Sequence, residues 1–375
     1  MVLSILGWIV LAVALAGCGY TLAVAWALPR FFAASPPAPR RREAVTLLKP
    51  LHGAEPRLVE NFASFLDQAH EGPIQLLCGV QRAEDPAIAA VEALRSHYPA
   101  ARIDLVIDDT PHGASGKVAN LINMSRHIAH PIVVMSDSDI AVAPDYLARV
   151  LDALDRPGVG VVSCLYRGRG DAGWWSRFGA MGLSYQFLPG AVFGVARGLG
   201  RPCMGSTIAF TGETLRAIGG FEALADVLAD DYAIGEAVAA LGLEVAIPPM
   251  LVTHASDDAT LGALWRHELR WGATVRAVVP AAYALSAIAL PLPFALLGTI
   301  VHPAAGLAVV ALTLALRALL AGRVDRIAGT RGSMLLLPLR DLFSFVVFVA
   351  SLFVRSVEWR GRALTMETGG RVSAK

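Results

Sequence analysis

Polar residues almost vanish from three stretches of the chain. Residues 1–29 contain no Asp, Glu, Lys or Arg, and residues 277–316 contain none either, with His302 the only histidine there. A helix crossing a bilayer needs about 20 apolar residues. The first run therefore predicts one span, and the second predicts two spans hinged near His302-Pro303. A third run, 342–354, reaches spanning length only by recruiting 334–339 across Pro338, Arg340 and Asp341. It predicts either a span or a helix lying in the interface.

Residues 30–276 are patterned for water. A proline-rich stretch at 35–39, followed by Arg40, Arg41 and Arg42, reads as an extended linker leaving the membrane. Short apolar runs at 45–49, 74–80, 103–107, 132–136 and 159–164 then alternate with helical periodicity around 57–68, 86–97, 117–127 and from Pro144. Continuous apolar strands separated by helices predict a mostly parallel sheet covered on both faces. In such sheets ligands bind beyond the carboxyl ends of the strands, so the polar residues after each strand carry the functional interest.

The arginines predict the orientation. The N-terminal run has no Lys or Arg ahead of its apolar core, as a cleaved signal would. It also continues to Leu28, past the lipoprotein-like Leu15-Ala16-Gly17-Cys18, which predicts an uncleaved anchor. Arg30 and Arg40–Arg42 all follow this anchor, so by the positive-inside rule its C-terminal side is cytoplasmic. Arg276 and an expected loop at 317–331 with four Arg return to that side. A third C-terminal span would carry Arg355, Arg360, Arg362 and Arg371 outside, which favours an interfacial or re-entrant segment at 334–354.

Composition excludes some classes. The 375 residues are 55% hydrophobic and 17% charged, against about 45–50% and about 25% in a soluble domain; disorder is excluded. Thirty-two basic and 31 acidic residues leave a net charge of +1, so no general attraction to nucleic acid is expected. Four Cys have no short metal-type spacing and read as buried thiols. Only Lys49, Lys117 and Lys375 among the basic residues are lysine, an Arg bias that points to a GC-rich bacterial genome.

Four constellations can carry chemistry. Asp137-Ser138-Asp139 follows an apolar strand, and its oxygens suit Mg²⁺ or Mn²⁺ shared with substrate phosphates; the alternative is a capped strand-end turn. The glycine-rich turn at 113–117 lacks Walker spacing, leaving Lys117 either to meet a phosphate or uridine or to sit in solvent. Asp230-Asp231 opens a helix, either complementing its dipole or presenting a general base. Arg266 and Arg270 stand at i,i+4 in a Trp-flanked helix, as membrane anchors or as a pyrophosphate clamp. The stretch 174–200, aromatic and apolar but interrupted by Arg177, Pro189 and Arg197, predicts an interface-hugging acceptor segment or core packing. No paired-His zinc spacing, G-x-S-x-G or dinucleotide fingerprint is present.

In this order the features resemble family 2-type glycosyltransferases, and more narrowly the ceramide glucosyltransferases of family 21 and their bacterial relatives associated with hopanoid biosynthesis. The resemblance runs from Val45 to Trp271. It rests on Leu-Leu-Lys-Pro-Leu-His-Gly at 47–53, Asp85-Pro86-Ala87, Asp137-Ser138-Asp139, the glycine-rich 205–220, Ala229-Asp230-Asp231-Tyr232 and Arg270-Trp271. It implies an α/β GT-A nucleotide-sugar-binding fold with one N-terminal and two to three C-terminal membrane helices.

The resemblance also implies site roles: Asp231 as catalytic base; Asp85, Lys117, Asp137, Arg270 and Trp271 at the nucleotide-sugar; Asp137 and Asp139 at a Mg²⁺ or Mn²⁺ ion. His267 stands where the family has Gln or Arg. The implied reaction is inverting transfer of N-acetylglucosamine or glucose from a UDP-sugar to a membrane-lipid hydroxyl, a hopanoid polyol or otherwise ceramide, at the bacterial inner membrane. A processive polysaccharide synthase shares the Asp set but needs more spans, and a nucleotide-binding membrane scaffold is the non-enzymatic alternative. The expected organisation is an anchor at 1–29, a linker at 30–43, a cytoplasmic catalytic domain at 44–276, membrane or interfacial helices at 277–356 and a basic tail at 357–375.

Overall fold

The computed structural model describes residues 1–33, 41–199, 203–354, 356–359, 362–366 and 372–374. Residues 34–40 of the expected linker, including Arg40, lie outside the described residues, as do Gly200 and the tail residues Arg355, Arg360 and Arg371. The strands are β1 (Val45–Pro50), β2 (Ile74–Val80), β3 (Arg102–Ile107), β4 (Ile132–Met135), β5 (Ile140–Ala141), β6 (Val159–Ser163), β7 (Leu165–Gly170), β8 (Ile208–Thr211), β9 (Glu244–Ala246) and β10 (Leu251–Ser256). Three short strands, Ser356–Trp359, Arg362–Met366 and Val372–Ala374, form a separate antiparallel sheet.

The main sheet runs β3-β2-β1-β4-β8-β6-β9. β1 pairs in parallel with both β2 and β4, as the continuous apolar runs predict. β8 is the departure: it is antiparallel to β4 and β6, because it returns after the long helical excursion at 174–196. All six residues of β1 are buried. Alternation along the strand sends Val45 and Leu47 to Phe62, Phe65 and Leu151. Leu48 goes to the opposite layer with Val118, Leu121 and Phe210. A second, unforeseen sheet, β5-β10-β7, stands beyond the end of β4.

Among the described residues three helices are long and apolar enough to cross a membrane: Val2–Ala33, Pro303–Ala328 and Met334–Ser351, with mean hydropathies of 2.3, 2.1 and 1.8. The hinge at His302-Pro303 is present. The expected straight span before it is instead two helices, Pro280–Ala289 and Pro291–Val301, bent by 63°. Pro291 removes a helical N–H at the break. At 1.5 Å per residue either half reaches only about 15 Å of a roughly 30 Å core.

The expected arginine-rich loop at 317–331 is also corrected, since Arg317, Arg323 and Arg326 lie on the helix Pro303–Ala328. Arg317 stays helical and buried because Asp341 takes its guanidinium in two bonds of 2.7 and 2.8 Å and the Tyr185 carbonyl accepts a third at 3.0 Å. A buried charge persists where partners meet it.

Contacts orient the bundle. His302 stacks on Trp8 and bonds the Ser4 carbonyl at one end. At the other end, Arg323 bonds the Ala25 carbonyl, and Arg167 of β7 bonds the Ala328 carbonyl. The broken helix pair therefore leads from the sheet side to the far end. The helix Leu337–Ser351 behaves differently. Arg340 meets Glu268 near its start, and Arg276 bonds the Leu352 and Val354 carbonyls past its end. Both partners belong to one helix, Leu261–Val278, so the two helices lie side by side along the sheet domain.

The 174–196 segment is helical throughout, with a π-helical stretch at Leu183–Phe187. It packs in the seam: Phe178, Leu188 and Val192 join Leu28, Leu320, Val324 and Leu337 in one apolar cluster. Core packing thus describes these three side chains, while Trp174 remains exposed.

Gly79 of β2 is where the helix Gly116–Ser125 crosses the sheet. Asn120 Nδ2 donates to its carbonyl at 2.8 Å, and a Cβ there would meet Met124 Sδ at 2.4 Å. Gly79→Val should destabilise the protein by about 1–3 kcal/mol through overpacking, read as a lower thermal midpoint. An unchanged midpoint would mean that the helix seats loosely.

Candidate functional site

The carboxyl ends of β1, β2 and β4 converge, as a parallel sheet dictates, and the helix Asp230–Ala240 points its N-terminus at the same rim. Lys117, in the first turn of the helix Gly116–Ser125, forms ion pairs with Asp137 at 2.8 Å and Asp230 at 3.1 Å. Burial pulls its pKa down, but the two carboxylates outweigh burial and hold it above the usual lysine value. Lys117 is therefore not a solvated lysine.

Gly205 closes this corner. Its carbonyl accepts from the Asp137 amide at 3.3 Å, and its amide donates to Asp231 Oδ2 at 3.1 Å. A Cβ on Gly205 would lie 2.7 Å from Asp137 Oδ2, so only glycine lets the backbone approach. Asp231 Oδ1 also accepts from the Tyr232 amide at 2.8 Å. Burial, reinforced by Asp230, raises the Asp231 carboxyl to about 6.

A turn at Ser138-Asp139 separates Asp137, which pairs with Lys117, from Asp139. Asp139 faces His254 of β10, with Nε2 and Oδ2 3.4 Å apart. His254 Nδ1 lies 3.0 Å from the Ala255 carbonyl. A carbonyl only accepts, so Nδ1 carries the hydrogen and a neutral ring turns its Nε2 lone pair toward the carboxylate. Burial lowers the His254 pKa and favours that neutral form. A proton or a cation between them would satisfy both lone pairs.

Asp139 Oδ1 and Glu55 Oε2 are buried without hydrogen-bond partners, which makes the same demand. Burial, then neighbouring carboxylates, raise both Asp139 and Glu55 to about 7. Among the described residues no three His, Cys, Asp or Glu side chains form a complete metal site. Asp139 and His254 fit a hard divalent ion that draws its remaining ligands from phosphate oxygens and water.

The remaining expected residues sit around this core. Trp271 packs edge-on against His254 and His267, with ring centroids 5.7 and 4.3 Å apart. His267 in turn bonds Asp258 at 3.0 Å. Arg270 precedes Trp271 on the same helix. Asp85 stands on the adjoining rim, where its carboxylate accepts from the Gly53 amide at 3.0 and 3.2 Å and from the Ala87 amide at 2.9 Å. It ties the loop after β1 to the loop after β2.

Three site residues escaped the sequence reading. Lys49 is fully buried at the end of β1; it donates to Ser136 Oγ at 3.1 Å and the Asp137 carbonyl at 3.0 Å and lies 3.4 Å from the Phe65 ring centre. A lysine inside an apolar strand was the available signal. Glu55 accepts from Ser138 Oγ at 2.7 Å, and nothing local marks it. His254 is a lone histidine whose partner is 115 residues away.

The α/β architecture is the GT-A glycosyltransferase fold. It matches a mannosyltransferase from Pyrobaculum calidifontis, solved in complex with GDP-Man and Mn²⁺, at 21% identity and a TM-score of 0.54, covering 93% of this chain and 99% of that one. The chain belongs to glycosyl transferase family 21, whose family model matches residues 8–372. Ceramide glucosyltransferase 1 of Caenorhabditis elegans is 26% identical over 232 residues, 60% of this chain and 48% of that protein. Ceramide glucosyltransferase of Komagataella phaffii is 31% identical over 124 residues, 32% of this chain and 24% of that protein. The chain thus spans about half the length, or less, of these curated relatives.

The site's protons shape stability. With Asp231 raised to about 6 and Asp139 and Glu55 to about 7, the folded protein holds protons that the unfolded chain releases near pH 4. Their stabilisation is present in acid and lost as pH rises to about 7. Burial lowers Lys49 to about 7. The unfolded chain then binds more protons above about pH 7, so stability climbs again until, above about pH 8, the buried thiols of Cys78, Cys164 and Cys203 retain protons that the unfolded chain releases. Thermal unfolding of chelator-treated protein should show a minimum near neutrality, and a profile rising steadily from about pH 4 to 8 would contradict this balance.

Proposed function

We propose that the chain is a membrane-bound inverting hexosyltransferase that moves a sugar from a UDP-sugar to the hydroxyl of a membrane lipid. The carrying observation is the convergence of Asp231, Asp137 and Lys117 on Gly205, beside the facing pair Asp139 and His254. The curated relatives' names support a glucosyl donor and a lipid acceptor. Glucose or N-acetylglucosamine is the sugar, and a hopanoid polyol, otherwise ceramide, is the lipid. The arginine bias and the Arg residues following the first helix support a bacterial inner membrane with the sheet domain on its cytoplasmic side. The organisation is an anchor at 1–29, a linker at 30–43, a catalytic domain at 44–276, membrane or interfacial helices at 277–356 and a basic tail.

In this reading Asp231 accepts the acceptor proton as the hydroxyl oxygen bonds to the anomeric carbon. The bond from that carbon to the diphosphate breaks, and UDP carries its electrons away. One displacement inverts the anomeric centre, and no glycosyl-enzyme forms. A divalent cation, Mg²⁺ or Mn²⁺, supplies positive charge at the diphosphate when bound, with Asp139 and His254 as the residues that would hold it and Asp137 beside them. Lys117 orients Asp137 and lends charge to that side, and Arg270 faces the leaving group. Trp271 and Asp85 shape the nucleotide pocket.

Asp231→Asn removes the base while retaining a side chain of the same shape. Transfer should fall by about 10²–10⁴-fold with UDP binding retained, measured by radiolabelled-lipid formation and calorimetry. Wild-type transfer should rise with pH through about 6, as Asp231 ionises. Full activity in Asp231→Asn, or ladders of long glycan in place of a single sugar, would overturn this reading.

A further inference from the structure

The helix Leu261–Val278 carries His267, Arg270 and Trp271, yet little apolar surface fixes its rotation: only Leu264 and Ala273 are fully buried. Non-directional burial of two small patches tolerates sliding and turning, whereas a bidentate ion pair does not. Glu268 supplies one. Both of its carboxylate oxygens accept from Arg340 Nη2 at 2.7 Å. Arg340 belongs to the neighbouring helix Leu337–Ser351, and its side chain is 3% exposed.

Arg340 is committed to this one partner. Its guanidinium lies 5.2 Å from the ring centres of both Phe178 and Phe343. A Cβ on Gly182 would come within 2.3 Å of its Nη2, so that glycine makes room for it. Nε and Nη1 are buried without hydrogen-bond partners. A cation packed this tightly holds its position, and Glu268 must come to it. Farther along, Arg276 bonds the Leu352 carbonyl at 2.6 Å and Trp265 meets Phe343 edge-on at 6.1 Å, so the pair sits inside a longer helix-to-helix contact. Glu268 and Arg270, two residues apart, point about 200° apart around the helix. Glu268 and Trp271, three residues apart, lie about 60° apart around the helix, so the ion pair and the ring that meets His254 are linked through one stretch of it.

We propose that Glu268 and Arg340 are positioning residues: their ion pair sets the rotation of the helix carrying Arg270 and Trp271 against the membrane-associated helix, and so aligns that helix with an acceptor presented from the bilayer. The alignment role rests on the transferase reading above; the mechanical link does not.

The test uses the full chain in lipid nanodiscs, with Glu268→Ala and with the neutral double variant Glu268→Leu/Arg340→Leu. Glu268→Ala leaves Arg340 buried and unpaired, so it can fail to fold. The double variant removes both charges and keeps the contact apolar, a change that commonly preserves stability. In the double variant we expect a wild-type thermal midpoint, a raised KM for the UDP-sugar whose pocket Trp271 shapes, and kcat for lipid transfer lower by about 100-fold, the cost of a small misplacement. Amide hydrogen exchange should accelerate in 261–278 while β1, β2 and β4 keep their protection.

Wild-type kcat in the double variant, or unchanged exchange in 261–278, would overturn the proposal. A wild-type KM for the UDP-sugar would also overturn it, because Arg270 and Trp271 would then not have moved. Absence of transfer in the wild-type protein would instead remove the transferase reading, and the exchange result would still decide the link.

Discussion

Carboxylates crowd one rim of the sheet, and their mutual repulsion is the constraint around which the rest is arranged. Asp137, Asp139, Asp230, Asp231 and Glu55 are drawn together by strand ends and a helix N-terminus. The buried positive charges against them are Lys117, shared between Asp137 and Asp230, and Lys49, which holds the turn leading from Asp137 to Asp139. This is less than full compensation, and the raised values of Asp139, Glu55 and Asp231 express the deficit as retained protons. A site with surplus negative charge that water does not relieve is preorganised for a cation and repels an anion until that cation comes.

The membrane side meets the same problem with opposite means. Charges in apolar surroundings persist only when matched, and here arginines meet carboxylates: Arg317 on Asp341 through a planar fork of Nε and Nη2, and Arg340 on both oxygens of Glu268 through Nη2 alone, all at under 3 Å. Gln186, in the π-helical stretch, donates to Asp341 at 3.0 Å, and Tyr185 gives its carbonyl to Arg317. The seam between sheet domain and bundle is therefore polar at points and apolar between them, through Phe178, Leu188 and Leu337. Directional bonds fix the orientation of the two bodies, while the apolar contacts supply adhesion.

Local pattern explains what was legible in the sequence. The run at 45–50 could only be a strand buried on both faces, and carboxylates directly after 132–135 had to reach the rim. Nothing in a local window could pair Asp139 with His254, or reveal that Lys49 inside β1 is a counter-charge rather than an anomaly. The misread membrane pieces share one cause. Counting charges treats Arg317 as a boundary, whereas its partner Asp341 lies in the next helix and lets the helix run on to Ala328. The break before Pro291 was visible as prolines, but hydropathy averaged over it. For 334–351, composition permits a span, and the helix also contacts Glu268 and Arg276 of the helix Leu261–Val278.

The choice between the two cations follows from the same geometry. In a chain with 32 basic residues only three are lysine, yet two of those three stand in the site. A guanidinium brings five donors in a rigid plane and stays charged, whereas an ammonium is compact and can lose its proton when buried. Between Asp137 and Asp230 there is room for one point charge reaching two carboxylates, and Lys117 provides it. At the end of β1, Ser136 Oγ, one carbonyl and the face of Phe65 would leave several guanidinium hydrogens without acceptors, but they suit an ammonium. Arginine stands where a carboxylate can be gripped by a flat fork between helices. Lysine stands where charge must be delivered without bulk, next to the groups that exchange protons and hold the substrate.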